Sequence, residues 1–193
     1  SFMTPHNFNG SGNVDYALNR SFCGGMYENV YLHIFNNTRR LIASCDEQGL
    51  TDYAGMMRVV QAYAVQMLTD VYGPVAYTSC IEDPTNGASF SYDTQQSIYN
   101  SIFELLDKAL QDFQSPKSTL EERQSFDYWC NGDLDMWIQV ANQLKLRAAL
   151  RIVKADPTLA KQKAEEAAKG ASKELDMDFV QKYLPYTYEQ QPE

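Results

Sequence analysis

The segment Met136 to Ile152, MWIQVANQLKLRAALRI, has helical spacing but is apolar on more than one side. Wound at about 3.6 residues per turn, Trp137, Ala141, Leu144, Ala148 and Ile152 form one stripe. Leu146, Leu150 and Val153 form a second, and Gln139, Gln143, Arg147, Arg151 and Lys154 hold a polar strip between them. Such a helix, spanning about 134–155, expects apolar partners on two faces. Elsewhere the pattern is simpler. A helix runs from about residue 26 to a stop near Gly49, and a second from Leu50 to Tyr72 keeps Met57, Val60, Ala64, Met67, Leu68 and Val71 to one face. Gly73-Pro74 ends it. A third carries Ile98, Ile102, Leu105, Leu106, Ala109, Leu110 and Phe113, opened by a capping box of Asp93 and Gln96. Asp156-Pro157 starts a fifth, which stops at Gly170.

The connections are long. Residues 1–24 and 75–92 lack any period, and 115–134 holds at most a short turn capped by Ser118 and Glu121. No strand-and-hairpin series appears, so the class is all-α. Helix starts near 26, 50, 93, 135 and 157 alternate short and long spacings, which predicts tetratricopeptide-like stacked helix pairs with long irregular loops. In such an array an inner helix packs on its own partner and on the next pair, which accounts for two apolar faces. The strict tetratricopeptide signature of about 34 residues is absent.

Composition narrows the function classes. The net charge is −9, from 25 acidic and 16 basic residues, and the only basic strip lies on the largely apolar fourth helix, which argues against a nucleic-acid partner. No apolar run approaches the roughly 20 residues that span a bilayer. Cys23, Cys45, Cys80 and Cys130 are far apart, and with only His6 and His33 there is no ordinary zinc spacing. The cysteines read as isolated buried thiols, with disulfides the alternative. No nucleotide-binding loop or serine-nucleophile elbow occurs, and no cofactor is implied.

Two chemistries compete for the loops. Asp127, Asp133 and Asp135 could serve glycoside hydrolysis or hold a cation, but beside Gly and Asn they read as turn and cap residues. Aromatics recur in every long connection: Phe2, Phe8, Tyr16 and Phe22, then Phe90 and Tyr92, then Tyr128 and Trp129. Flat rings among Asn, Asp and Gln suit carbohydrate, whose C–H faces stack on a ring while amides bond the hydroxyls. The competing reading is that these rings pin the loops to the scaffold.

Two motifs carry a family resemblance. RVVQAYAVQMLTDVYGPVAYTSC, residues 58–80, resembles the helix and exit turn of SusD/RagB outer-membrane lipoproteins through Thr69, Asp70, Tyr72 and Gly73. Members commonly have one more residue before the proline. DYWCNGDLDMWIQVANQLKLRAALRI, residues 127–152, is similar to the second hallmark at Asp127, Gly132, Asp133, Trp137, Ala141, Asn142, Leu144, Lys145, Leu146, Arg147 and Arg151. The resemblance covers roughly 26–170.

The resemblance implies a binding protein, not an enzyme: a lipoprotein on the outer surface of a Bacteroidetes outer membrane. It would take up oligosaccharide, or in some members peptide, for a SusC-type TonB-dependent transporter. The chain would be a fragment, without the lipid-anchored start and the loop-rich second half. Residues 1–25 then form a loop region near the ligand site, 26–170 the scaffold, and 171–193 the start of a further segment. Phe8, Asn9 and Tyr16, with Trp129 as a further contact, are the expected ligand-binding residues. The hallmark residues are expected to be architectural, Asn142 and Arg147 bonding groups between repeats. A helical-repeat interaction scaffold without a soluble ligand is the rival class.

Overall fold

A computed structural model describes residues 20–82 and 90–171. Among them the regular structure is helical, with one isolated bridge between Val75 and Asp93. The long elements are α1 (Arg20–Asn29), α2 (Asn36–Gln48), α3 (Thr51–Tyr72), α5 (Gln95–Asp112), α7 (Leu134–Arg151) and α8 (Pro157–Ala168); α4 (Thr78–Glu82) and α6 (Leu120–Gln124) are single turns. A π-helical stretch, Val30–Phe35, joins α1 to α2 without a break.

Arg20 to Gly24 are helical, not loop, so α1 begins earlier than the Gly24-Gly25 pair suggested. Gly49 adopts φ 71°, and Leu50 N–H reaches back 2.8 Å to the Cys45 carbonyl. That left-handed cap satisfies the last carbonyls of α2 and turns the chain directly into α3.

The helices stack in chain order: α2 on α3, α3 on α5, α5 on α7 and α7 on α8. This is the tetratricopeptide-like, all-α architecture that the spacing predicts. Near the start of α3, Arg58 pairs with Asp112 at the end of α5, and near its end Asp70 accepts from Tyr99 at the start of α5. The two helices are therefore antiparallel. They also approach closely, since a Cβ on Gly55 would lie 2.8 Å from Phe113 Cε1.

The central element is α3, and it is buried well beyond the single apolar face that its sequence predicts. Met57, Val60 and Met67 are only half-buried and Val71 is exposed, whereas Asp52, Gly55, Arg58, Gln61, Gln66 and Thr69 are buried with Val59, Val65 and Leu68. Arg58 is neutralised by Asp46 and Asp112, both at 2.5 Å, so a buried polar face is paired rather than avoided.

The second face of α7 needs the same correction. Leu150 and Val153 are 61% and 47% exposed, and Leu146 is half-buried. The side turned to α8 instead carries Asn142, Lys145 and Ala149. Gly170 packs directly on the Asn142 amide, and Lys145 Nζ sits 2.5 Å from Asp107 and 2.7 Å from Glu166. Small residues and a neutralised lysine allow close packing where a hydrophobic count registers little.

Caps shift by one residue in two places. Thr94, not Asp93, caps α5 by accepting from Ser97 N–H; Asp93 is taken by the N–H groups of Tyr77 and Thr78, at 2.8 Å each. Thr119 and Glu122, not Ser118 and Glu121, form the capping box of α6. Asp156 and Pro157 open α8 as expected. Cys45, Cys80 and Cys130 are free thiols.

Candidate functional site

The loop between α6 and α7 is built around one carboxylate. Asp127, 7% exposed, accepts from Trp129 N–H (3.0 Å) and Cys130 N–H (3.1 Å) on Oδ1, and from Gly132 N–H (2.9 Å) and Trp137 Nε1–H (2.7 Å) on Oδ2. The turn requires left-handed backbone at Asn131 (φ 49°) and Gly132 (φ 76°), and a Cβ on Gly132 would lie 2.9 Å from Gln124 N. Asp133 then caps α7 through Asp135 N–H and Met136 N–H.

Trp129 lies on Trp137, ring centroids 5.8 Å apart and planes 16° from parallel. Trp137 is buried and fixed by Asp127, so it serves as a floor, while Trp129 stays 49% exposed. Tyr128 is 69% exposed, and Phe126 meets Tyr53 edge-on at 4.9 Å. A second brace comes from α3. Asp52, fully buried, accepts from Lys117 N–H, Ser118 N–H and the Ser118 hydroxyl. Burial pushes this carboxyl up, but the Ser118 hydroxyl and the two amides outweigh it and hold it below its ordinary value. Arg123 links the same loop to the turn, donating to Ser118 O and Gly132 O at 2.7 Å each.

Under this ledge is a cavity of about 290 Å³ lined by Met56, Met57, Val60, Phe126, Asp127, Tyr128, Trp129 and Trp137. A rigid ring with a solvent-facing side above an apolar recess can stack a flat ligand and accept a small apolar substituent.

A second aromatic cluster occupies the far end of α3. Tyr27 packs on Tyr31 at 4.4 Å and edge-on to Tyr72 at 5.5 Å, and Tyr31 and Tyr77 flank Phe35. Tyr31 donates to the Ala76 carbonyl, and burial raises its phenol well above the ordinary range. Met57 and Tyr72 are fifteen residues apart on α3; at about 1.5 Å rise per residue the two clusters are separated by roughly 22 Å along the helix.

Of the expected contact residues, Phe8, Asn9 and Tyr16 lie outside the described residues, and Trp129 is in the ledge. Met57, Val60 and Trp137 were read as core, and no spacing rule links them to Trp129; only the fold brings them together. The three acidic residues do not form a hydrolytic pair: Asp127 is filled by four N–H donors, Asp133 is a cap and Asp135 is exposed. Among the described residues no group of three or more His, Cys, Asp or Glu side chains could hold a metal. The hallmark residues are architectural, as Asp127, Asp133, Trp137, Asn142 and Lys145 demonstrate, and Asp70 ties α3 to α7 through Arg151 at 3.1 Å. Arg147 departs from expectation by facing solvent, and Asn142 donates within its own helix to the Ile138 carbonyl.

Stacked helix pairs with long decorated loops define the tetratricopeptide-like class of scaffold. Within it, the profile of SusD-like proteins, the SusD and RagB outer membrane lipoproteins, matches residues 1–177. The chain belongs to the SusD/RagB family. A chitin-binding SusD homologue from Flavobacterium johnsoniae is 28% identical with a TM-score of 0.73, over 91% of this chain and 35% of its own. A chitin-binding protein is 26% identical with a TM-score of 0.74, over 84% and 34%. A SusD-like protein from Bacteroides thetaiotaomicron is 25% identical with a TM-score of 0.69, over 81% and 32%. The chain thus spans about a third of the length of these solved relatives. No curated protein matches it.

Proposed function

We propose that this chain is the scaffold of a surface binding protein that captures oligosaccharide on the outer membrane and passes it to a SusC-type TonB-dependent transporter, without catalysis. The observation that carries the reading is Trp129, its ring stacked on a Trp137 that Asp127 holds in place and about half exposed to solvent. A ring held in one orientation loses little entropy on stacking a sugar, which is what weak, reversible glycan capture needs. Phe8, Asn9 and Tyr16 supply further contacts in this reading, and a lipid anchor holds the protein at the membrane. The family assignment and two relatives named for chitin binding support a glycan ligand.

A protein-docking role has its own support in the exposed Leu150 and Val153 of α7. The test is affinity electrophoresis of the intact protein through a panel of polysaccharides, with a peptide pool alongside. Retardation by a glycan, relieved by W129A, is the expected result. A shift with peptides alone would replace glycan by peptide, and silence from both would leave a docking scaffold.

A further inference from the structure

We infer that the Asn131-Gly132 peptide is a latent self-modification site: Asp127 keeps it from deamidating, and its reaction dismantles the ledge, whatever the ledge binds. Asparagine followed by glycine is the pair in which this chemistry is easiest, because glycine has no side chain to shield its nitrogen. The Gly132 nitrogen attacks the side-chain carbonyl carbon of Asn131 and a C–N bond forms. The side-chain nitrogen leaves as ammonia, carrying the proton that the glycine nitrogen gives up. Water then opens the succinimide ring to aspartate or isoaspartate. Burial does not shield the asparagine, since Asn131 is only half-buried and lines an open surface recess with Arg123, Gln124, Asp133 and Leu134. The block lies on the nucleophile.

Gly132 is buried, and its N–H donates to Asp127 Oδ2 at 2.9 Å. To attack, that nitrogen must lose its proton, leave Asp127 and turn toward the Asn131 side chain. Beside a carboxylate, the deprotonated nitrogen is opposed by like charge. Turning is opposed by packing: a Cβ on Gly132 would lie 2.9 Å from both Gln124 N and Arg123 Cβ. Arg123 Nε also holds the Gly132 carbonyl at 2.7 Å, so the glycine is pinned at both ends. Reaction therefore waits for the turn to open. Either product adds a third carboxylate to a turn that already carries Asp127 and Asp133. Isoaspartate also lengthens by one carbon the left-handed backbone, φ 49° and 76°, of the loop that lays Trp129 on Trp137.

Peptide mapping by mass spectrometry tests this on the intact protein, held in mildly alkaline buffer beside a synthetic peptide of residues 128–136. It follows Asn131 through its succinimide, aspartyl and isoaspartyl forms. Opening a hydrogen bond to a charged acceptor predicts that the folded chain reacts roughly tenfold to a hundredfold more slowly than the peptide. D127A frees the Gly132 N–H and should bring the protein close to the peptide rate. Asn9-Gly10 and Asn86-Gly87, outside the described residues and read in the same digests, should keep their wild-type rates. Should D127A fail to fold, wild-type protein in sub-denaturing urea gives the same reading: the rate at Asn131 rises in step with deuterium exchange of the Gly132 amide. Near-ultraviolet circular dichroism of the aged protein should lose the indole-pair signal in proportion to the Asn131 converted. A folded wild-type chain that deamidates there at the peptide rate, or a folded D127A no faster than wild type, would overturn the inference. So would a fully converted chain with an unchanged tryptophan signal.

Discussion

Replacing Asp127 by Asn isolates what the ledge depends on. The carboxylate accepts four N–H groups from a site 7% exposed. An amide keeps one oxygen, able to accept two of them, and points an NH₂ group at the other two donors. Bonds to a charged acceptor contribute about 1.5–3 kcal/mol each when measured singly, and these four share one group and do not add. D127N should therefore cost about 2–3 kcal/mol, and D127A, which strands all four donors, about 3–5 kcal/mol. With a urea slope of about 2 kcal/mol per molar, the D127N midpoint falls by about 1–1.5 M. The chain contains only two tryptophans, Trp129 and Trp137, so fluorescence and near-ultraviolet circular dichroism report this site directly. D133A is the matched control: it removes the α7 cap, costs about 1 kcal/mol and leaves the indole pair in place. If D127N unfolded at the wild-type midpoint with an unchanged tryptophan signal, the carboxylate would not be what orders the ledge.

Three more expectations can be checked on the same protein. K145M removes the cation between Asp107 and Glu166; because both carboxylates are over a third exposed and Lys163 also reaches Asp107, the loss should be about 1–3 kcal/mol, seen as faster deuterium exchange across α8. The Lys145 ammonium and then the Gln162 amide lower the Glu166 carboxyl from 4.5 to about 2. A depressed acid stabilises the fold above its unfolded value, and that contribution drains away as pH falls from about 4.5 towards 2; E166Q should flatten the acid limb of a stability–pH curve in that window. G132A combines φ 76° with a Cβ 2.9 Å from backbone and from Arg123 Cβ, and should lower the urea stability by about 2–4 kcal/mol, whereas N131G, relieving left-handed backbone, should leave it equal or raise it by up to about 1 kcal/mol.

Much of the scaffold is legible in the sequence. The amphipathic stripe of α5, the Gly73 stop and the Asp156-Pro157 start are local signals, and the structure keeps them. What local patterning misses is burial decided by partners. The polar side of α3 looks solvated until Asp112 and the 117–118 amides arrive to pair with Arg58 and Asp52. Lys145 reads as surface until Asp107 and Glu166 close on it. The π-helical stretch shifts the register within VYLHIF, whose composition is ordinary for an α-helix. Both cap displacements share one cause: Asp93 and Ser118, good caps by type, are drawn into tertiary bonds, and the neighbouring threonine takes the helix. The site was legible only in part. Trp129 stands out as an aromatic in a polar loop, while the recess under it exists because α3 passes beneath that loop.

The most direct measurement of the central claim is a fluorescence titration of the intact protein with a glycan that retards it in a gel. Because the tryptophans are confined to the ledge, capture on Trp129 predicts a saturable change in indole emission that disappears in W129F while the rest of the fold is retained. Saturable binding by calorimetry with no change in indole emission would contradict it and move capture away from the ledge.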